Sequence, residues 1–375
     1  MEQEILNILN MLIINNYEAY LVGGFVRDYL LGKKSYDIDI TTNAKPKEIM
    51  NIFKDYHPVS LEYGNVCIKT NKFKYEITTY RRDINYKDNR KPDKIVYIDS
   101  LDEDLLRRDF TINAICMDKN KKIIDKLNGK ADLKKKLIKT IGNPDLKFTE
   151  DALRMLRAIR FATVLNFKLD EEVQKSIIKN KDLIKKLSYE RKKEEINKII
   201  SSKNKKYGVY LLKNLGLLDV LELKNIDNVL LTNDLNGIWG TITNANYPFT
   251  KNEKDIMINI NNLLNEDLKD RYILYKYGRY VLSVVCDLKK LNKKYMIFKY
   301  DMLPIKGKEE IKITSSEICF ILGKEPGPFI KEVYDDLEYK ILNKELKNDN
   351  KKIKSYLKTK YNIIKWGCFV WLLIF

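Results

Sequence analysis

Two aspartates lie two residues apart in the segment Tyr-Asp-Ile-Asp-Ile-Thr at 36–41. In a strand, side chains alternate between the two faces, so Asp37 and Asp39 project to the same side, roughly 6.6 Å apart along the backbone, while Ile38 and Ile40 face the core. Two like charges held together are costly without a cation, and carboxylate oxygens suit divalent metal ions. The spacing is therefore typical of a metal site for phosphoryl transfer. An isolated pair would also fit two solvated acids on an exposed strand.

A glycine pair stands upstream of these aspartates and begins the segment Gly-Gly-Phe-Val-Arg-Asp at 23–28. A glycine turn that leads into a helix offers backbone N–H groups to a phosphate without a side chain in the way, and Gly24 has this position. Arg27 falls in the first turn of the same helix, where it adds a cationic contact. No Walker A loop is present, because Gly32-Lys33 has no glycine five residues earlier, and no G-x-G-x-x-G turn is present either. The sequence therefore disfavours the ATPase and dinucleotide-binding classes.

A third group of charged residues, Asp151, Arg154, Arg157 and Arg160, recurs every three residues. On a helix this spacing predicts one inclined row in which Asp151 and Arg154 are direct neighbours. Cytosine and adenine both present an exocyclic amino donor beside a ring-nitrogen acceptor, so an Asp that accepts and an Arg that donates fit these two bases. Guanine and uracil present a carbonyl and an N–H there and would be mismatched. The alternative is a solvated basic helix face whose N-terminal acids favour the helix dipole.

The secondary-structure elements that must position these residues differ between the N-terminal part of the chain and the rest. Short β-prone runs separated by turns occupy the N-terminal part and predict a mixed α/β domain. These strands are predicted at 19–22, 36–41, 65–69, 74–80 and 95–98. From about Thr149 onward, apolar residues recur at helical spacing and predict helices at 152–165, 173–184, 194–200 and 207–215. Breaks at 142–144, 232–240 and 303–304 are the expected joints.

The composition narrows the classes of protein further. The chain of 375 residues has 70 Lys and Arg against 52 Asp and Glu, a net charge of +18 that indicates a polyanionic partner, either nucleic acid or an anionic membrane surface. His57 is the only histidine, which excludes histidine-rich metal sites and Ser-His-Asp triads. The five cysteines are far apart without a C-x-x-C pair, as expected of buried thiols in a reducing compartment.

The two ends of the sequence bear on location. The N-terminal residues alternate Glu, Asn and apolar side chains without a cationic region ahead of an apolar core, which predicts an amphipathic helix and a cytoplasmic protein. The segment 366–375 is apolar but about half the length that a membrane span needs, so we expect a buried terminal segment and no membrane partner. An interfacial anchor is the alternative.

Several motifs resemble, in the same order, those of the bacterial-type (class II) tRNA nucleotidyltransferase and poly(A) polymerase family. The Gly-Gly-x-x-Arg-Asp turn and the Asp-x-Asp strand resemble the catalytic motif of the nucleotidyltransferase superfamily. The segment Arg107–Ala114 is similar to the family's Arg-Arg-Asp-Phe-Thr-Ile-Asn-Ala motif, and Glu150–Arg160 is similar to its nucleotide-selecting helix. Further likenesses are the returning strand at 74–81, the mobile loop at 86–92, the neck helix from Leu187, and tail segments at 303–305 and 327–330.

The resemblance implies a role for each candidate residue. The catalytic pair Asp37 and Asp39 is implied to bind Mg²⁺, and Glu76 on the returning strand is a third carboxylate near the metal. The implied nucleotide-binding residues are Gly24, Arg27 and Arg108 for the triphosphate, Asp109 and Asn113 for the ribose, Asp151 and Arg154 for the base, and Arg157 and Arg160 for phosphate or stacking contacts.

The fold class implied by the resemblance is α+β, with four domains. They are an N-terminal nucleotidyltransferase head with a mixed β-sheet and helices (1–140), an all-α neck with the nucleotide-selecting helix (141–220), a helical body (221–302) and a helical tail that binds tRNA (303–375). The implied function is addition of C, C and A to the 3′ end of tRNA from CTP and ATP, without a nucleic-acid template and with release of pyrophosphate. The alternatives are a poly(A) polymerase, an enzyme that adds only CC or only A, and a non-catalytic RNA-binding protein.

Overall fold

The structure of the chain is a computed structural model that describes residues 2–60, 64–87 and 91–361. It separates into two compact units, one formed by Met1–Ile226 with Asn244–Pro248 and the other by Asp227–Thr243 with Phe249–Phe375. The predicted division into four domains is finer than this and stays a prediction. The apolar segment 366–375 and the centre of the predicted mobile loop, 88–90, lie outside the described residues.

The first unit contains a mixed sheet with strand order β3-β4-β5-β2-β1-β8-β9 and two smaller two-stranded sheets, β6-β7 and β10-β11. The strands are β1 (Ala19–Val22), β2 (Asp37–Thr42), β3 (Val59–Ser60), β4 (Asn65–Lys69), β5 (Lys74–Thr79), β6 (Arg81–Lys87), β7 (Lys91–Tyr97), β8 (Cys116–Met117), β9 (Ile123–Ile124), β10 (Leu137–Ile138) and β11 (Lys168–Leu169). In the large sheet β2 pairs with β5 in parallel, whereas the other pairs are antiparallel.

Strand β2 lies in the middle of the large sheet, between β1 and β5. Its alternation has the predicted sense, because Ile38 and Ile40 are fully buried while Asp37 is exposed and Asp39 is half-buried. The central position holds the backbone of Asp39 from both sides, through its register with Val22 on β1 and Glu76 on β5. The sheet therefore fixes the predicted catalytic strand on both edges.

The first unit also contains helices, some before and between the strands and others after them in the chain. They are α1 (Gln3–Ile14), α2 (Gly23–Leu30), α3 (Pro46–Ile52), α4 (Leu101–Leu106), α5 (Gly129–Lys135), α6 (Pro144–Glu150), α7 (Leu153–Leu165), α8 (Glu171–Asn180), α9 (Tyr189–Ile200) and α10 (Lys205–Asn214). The predicted helical stretch 173–184 is in fact α8 followed by a 3₁₀ helix, Lys181–Lys186. The short strand β11 lies within the region that was expected to be all helical.

The second unit, as far as the structure describes it, is built of helices. They are α11 (Leu235–Ile242), α12 (Lys251–Leu264), α13 (Arg271–Leu288), α14 (Lys293–Asp301), α15 (Ser315–Leu322), α16 (Phe329–Leu342) and α17 (Asn350–Lys360). One apolar cluster joins six of them through Ile260, Leu282, Met296, Ile318, Leu337 and Ile353. The mixed sheet of the first unit and these helices confirm the α+β fold class.

The cysteines that the structure describes are free thiols. Cys67, Cys116 and Cys286 are buried, as expected, whereas Cys319 is only partly buried. Across 2–60, 64–87 and 91–361, no helix is long and apolar enough to cross a membrane.

Candidate active site

The glycine turn and the catalytic strand meet at Asp39. Strand β1 runs directly into helix α2, with Val22 as the last residue of one and Gly23 as the first of the other. This junction brings the backbone N–H of Gly24 to 3.4 Å from Oδ2 of Asp39, to which it donates. Gly23 has φ of +73°, and a Cβ there would lie 2.5 Å from the same carboxylate oxygen. Only glycine permits both the backbone conformation and this close approach.

The surroundings of Asp39 disfavour the ionised form of its carboxyl group. Burial raises its pKa, and the neighbouring carboxylates of Glu76 and Asp37 raise it further, against the opposing effects of Arg108 and the Gly24 N–H. A cation bound at this carboxylate would relieve that repulsion, and the donors are all hard oxygens of the type that Mg²⁺ prefers. The donor chemistry at Asp39 therefore suits a divalent metal ion.

The three predicted metal ligands are not equivalent in the structure. Asp39 lines a cleft in the first unit, whereas Asp37 and Glu76 are not among the residues that line this cleft. Glu76 accepts a hydrogen bond from the side-chain amide of Asn65 over 3.1 Å. No group of three or more His, Cys, Asp and Glu side chains is arranged to hold a metal in the described part of the chain. Asp39 is thus the carboxylate of the predicted set that faces the cleft.

Arg27 is buried and held from two directions. It forms a bidentate pair with Asp28, with Nε to Oδ1 at 2.9 Å and Nη2 to Oδ2 at 3.0 Å, and its Nη1 donates to Oδ1 of Asn113 over 2.8 Å. The guanidinium also lies 5.3 Å from the centre of the Phe161 ring. These contacts orient the Arg27 guanidinium at the wall of the cleft.

Arg108 lies close to Asp39 and is anchored on its other side by a buried acid. Its Nη2 donates to Oδ2 of Asp104 over 3.2 Å. Its Nε is buried without a hydrogen-bond partner among the described residues. Burial alone would lower the pKa of Arg108, but Asp104, Cys116 and Asp39 together outweigh burial and raise this pKa. A permanent positive charge therefore lies beside Asp39.

Helix α7 carries the predicted arginines, and each of them has a partner within the unit. Arg154 donates from Nη1 to Glu150 over 2.6 Å and from Nη2 to the carbonyl of Arg107 over 3.2 Å. Arg157 donates from Nε to Oδ2 of Asp109 over 2.7 Å. Arg160 pairs with Glu195 of α9 and stacks on the Phe161 ring, 4.0 Å from its centre. The arginines are thus pre-positioned by packing and ion pairs.

Asp151 does not belong to the helical row in which it was predicted. Its φ and ψ are −141° and 104°, an extended conformation, and α7 begins two residues later at Leu153. The Asp151 carboxylate instead accepts from the N–H of Leu153 over 3.0 Å and lies 3.9 Å from Nη1 of Arg191. Burial raises the pKa of Asp151, with Arg191 opposing the rise. Asp151 and Arg154 still reach the same cleft, but from a turn and a helix rather than from adjacent helical positions.

The cleft that these residues form has a volume of about 530 Å³. Ten residues singled out from the sequence line it, namely Gly24, Arg27, Asp39, Arg108, Asp109, Asn113, Asp151, Arg154, Arg157 and Arg160. Five charged or aromatic lining residues were not predicted: Arg81, Asp83, Arg107, Phe161 and Arg191. Arg81, Arg107 and Arg191 lie in the returning strand, the Arg-Arg-Asp motif and the neck helix that resemble the family, whereas an aromatic residue at helical spacing such as Phe161 indicates only a core position.

The cleft is strongly basic. Eight arginines and four aspartates line it. Guanidinium groups bind phosphate oxygens through paired N–H donors, so this lining favours a polyphosphate ligand. A carboxylate that fits a metal ion lies in the same cleft, and the combination suits phosphoryl or nucleotidyl transfer.

Three family models match successive parts of the chain. Residues 19–139 match the model of the Poly A polymerase head domain. Residues 166–227 match a model described as "Probable RNA and SrmB-binding site of polymerase A", and residues 247–357 match tRNA nucleotidyltransferase domain 2. The head-domain match contains Asp39, Arg27 and Arg108.

Known proteins resemble the chain over nearly its whole length. The CCA-adding enzyme of Anoxybacillus flavithermus is 33% identical and the alignment covers 94% of this chain and 96% of that protein. The CCA-adding enzyme of Listeria monocytogenes serotype 4a is 34% identical, over 94% and 97% of the two chains. Among solved structures, Bacillus stearothermophilus CCA-adding enzyme in complex with CTP matches with a TM-score of 0.81 and 26% identity, over 98% of this chain and 100% of that one. The chain belongs to the family of CCA-adding enzymes.

Proposed function

We propose that this protein is a metal-dependent nucleotidyltransferase that adds C, C and A to the 3′ end of tRNA. CTP and ATP are the substrates, pyrophosphate is the product, and no nucleic-acid template is used. The observation that carries the proposal is that Asp39, Gly24 and Arg108 line the same cleft as Asp151 and Arg154. The names of the relatives and the CTP bound in the Bacillus stearothermophilus structure support it.

The triphosphate is bound by the part of the cleft formed by α2 and the segment after α4. The absence of side chains at Gly23 and Gly24 lets a phosphate approach the backbone at the start of α2. Arg27 and Arg108 supply positive charge, and both are already oriented by buried carboxylates or amides. Such preorganised charge stabilises the negative charge that moves onto the leaving pyrophosphate.

Asp151 and Arg154 select the base of the incoming nucleotide. The carboxylate accepts a hydrogen bond and the guanidinium donates one, which matches the amino group and ring nitrogen shared by cytosine and adenine. Arg154 is held by Glu150 and the carbonyls of Lys147 and Arg107, so little side-chain entropy is lost when the nucleotide binds. The protein thereby takes the place of a template.

Asp39, with Asp37 on the same strand and Glu76 as a further ligand, would hold Mg²⁺. When bound, the ion supplies Lewis-acid activation of the RNA 3′-hydroxyl and neutralises phosphate charge. The role of the strand is to hold Asp39 in register with β1 and β5, next to the phosphate-binding turn. Arg157 and Arg160 contribute phosphate or stacking contacts from α7.

The experiment that tests this function uses a tRNA transcript that lacks its terminal CCA. We expect two nucleotides to be added with CTP alone, three with CTP and ATP together, and none with GTP or UTP. The products are resolved by length on a denaturing gel. A long tail made with ATP alone would show a poly(A) polymerase, and products that stop after two residues with both nucleotides present would show a CC-adding enzyme. An inactive wild-type protein that still binds tRNA would favour the non-catalytic alternative.

A further inference from the structure

One buried acid outside the cleft joins the catalytic strand to the arginines that line the cleft. Asp104 lies in α4, whose first turn is capped by the Ser100 hydroxyl. Its carboxylate is completely buried, at 0% exposure, and it is not among the residues that line the cleft. Arg107 and Arg108 follow it by three and four residues, the spacing at which side chains meet on one helical face.

The Asp104 carboxylate is saturated with donors from three different segments. Its Oδ1 accepts from Nε of Arg107 over 2.8 Å and from the backbone N–H of Arg81 over 3.3 Å. Its Oδ2 accepts from Nη2 of Arg108 over 3.2 Å and from the hydroxyl of Thr41 over 3.1 Å. A carboxylate has about four lone-pair positions, so these donors use its capacity and leave none for a substrate.

These contacts connect the separate parts of the cleft. Thr41 lies on β2, two residues after Asp39 and therefore on the same face of the strand. Arg108 lines the cleft beside Asp39, while the carbonyl of Arg107 accepts from Nη2 of Arg154. Burial alone would raise the pKa of Asp104, but Arg108 and Arg107 outweigh it and the pKa is lowered, so the carboxylate is ionised at neutral pH.

We propose that Asp104 is a positioning residue for nucleotide binding, which aligns Arg108 with the catalytic strand through Thr41. This inference rests on the proposed function. Asp104 touches neither the substrate nor the metal. Asp104 holds one end of the Arg108 guanidinium, so that the remaining N–H donors of Arg108 face the triphosphate. Because CTP and ATP share the triphosphate, the loss of Asp104 affects both nucleotides alike.

The test compares the full-length wild-type protein with Asp104→Asn, which keeps the shape of the side chain but removes its charge. We expect KM for CTP and for ATP to rise together by about tenfold or more, while KM for the tRNA transcript is unchanged. The double variant with Arg108→Ala should bind nucleotide no worse than Arg108→Ala alone, because the two residues act as one unit. Asp104→Glu, which restores the charge, should recover part of the loss.

The matched control is Glu338→Gln, which neutralises a buried carboxylate in the other unit, where it accepts from Tyr275. It should lower the melting temperature without changing the nucleotide KM. The inference is overturned if Asp104→Asn lowers the melting temperature but keeps the wild-type nucleotide KM, or if its effect adds fully to that of Arg108→Ala. If Asp104→Asn does not fold, Thr41→Val decides instead: a raised nucleotide KM supports the inference and an unchanged one overturns it. A wild-type protein without any transfer activity refutes the proposed function itself.

Discussion

Nε of Arg157 donates to Oδ2 of Asp109 over 2.7 Å, and this ion pair ties helix α7 to the segment that follows α4. The Asp109 carboxylate is nearly buried and also accepts from the side-chain amide of Asn113 over 3.3 Å. Burial would raise its pKa, but Arg157 and Asn113 outweigh burial and lower it to about 2. This ion pair joins two walls of the cleft, the segment after α4 and helix α7, and it depends on ionised Asp109.

This pair predicts a component of acid destabilisation. The pKa of Asp109 is lower in the folded state than in the unfolded chain, so its stabilisation is present above pH 4 and is lost as pH falls through about 2. Between pH 5 and pH 3 the wild-type free energy of unfolding should fall by about 1 kcal/mol more than that of Asp109→Asn. Urea unfolding at the two pH values measures this difference. Equal losses in both proteins would contradict the assignment.

Gly23 should tolerate no side chain. In Gly23→Ala the positive φ costs about 1–2 kcal/mol, and the new Cβ would push against Oδ2 of Asp39 at 2.5 Å. A displaced catalytic carboxylate lowers the transfer rate by about a hundredfold. The control is Gly32→Ala, whose φ of +68° carries the same strain while no atom lies within 4 Å of the Cβ. We expect both variants to lose stability, measured by thermal unfolding, and only Gly23→Ala to lose catalysis. Equal rates of CMP addition would show that the contact with Asp39 is unimportant.

Arg191 should be needed for base selection because it faces Asp151 at 3.9 Å. In Arg191→Met the Asp151 carboxylate loses a cation that holds it, and discrimination between CTP and UTP should fall by about tenfold. Arg191→Lys keeps the charge, so its discrimination between CTP and UTP should fall less. The measurement is the ratio of kcat/KM for the two nucleotides on a transcript that lacks CCA.

The matched control for this prediction is Arg279→Met in the other unit, where Arg279 pairs with Asp301 on the surface. The ratio of kcat/KM for CTP and UTP in Arg279→Met should equal that of the wild type. An unchanged ratio in Arg191→Met would mean that the turn at Leu153 positions Asp151 without help.

Metal dependence should act through Asp39. Asp39→Asn retains an oxygen that can accept from the Gly24 N–H, so the fold should persist while transfer falls by about a hundredfold or more. Mg²⁺ should raise the melting temperature of the wild type but not of Asp39→Asn, and chelation should abolish wild-type transfer. Asp102→Asn, which alters an exposed carboxylate paired with Lys126, is the control and should respond to Mg²⁺ like the wild type. A melting temperature that rises equally in Asp39→Asn would place the metal elsewhere.

Local patterns in the sequence predicted most of the elements that carry the site. The alternation of aspartate and isoleucine predicted β2 and its buried face, and the glycine pair predicted the strand-to-helix turn at α2. These features depend on residues a few positions apart, whose conformations are restricted by their own sterics and by burial of one face. The motifs also led to the family, which the comparisons confirm.

The predicted row from Asp151 to Arg160 shows where local reasoning fails. Spacing by three is compatible with a helix, but the chain leaves α6 at Asp151 in an extended conformation and enters α7 only at Leu153. The Asp151 carboxylate then accepts a hydrogen bond from the Leu153 N–H, which a count of residues does not reveal.

The sequence by itself determined the types of group available: carboxylates for a metal, glycines for a phosphate, and arginines for charge. Only the tertiary structure decided that Asp39 rather than Asp37 faces the cleft, that Asp104 unites Thr41 with Arg107 and Arg108, and that Arg191 reaches Asp151. Thr41 and Asp104 are 63 positions apart in the chain. Such partners are chosen by the need to satisfy buried charges with hydrogen bonds, and that requirement exists only once long-range packing has excluded water.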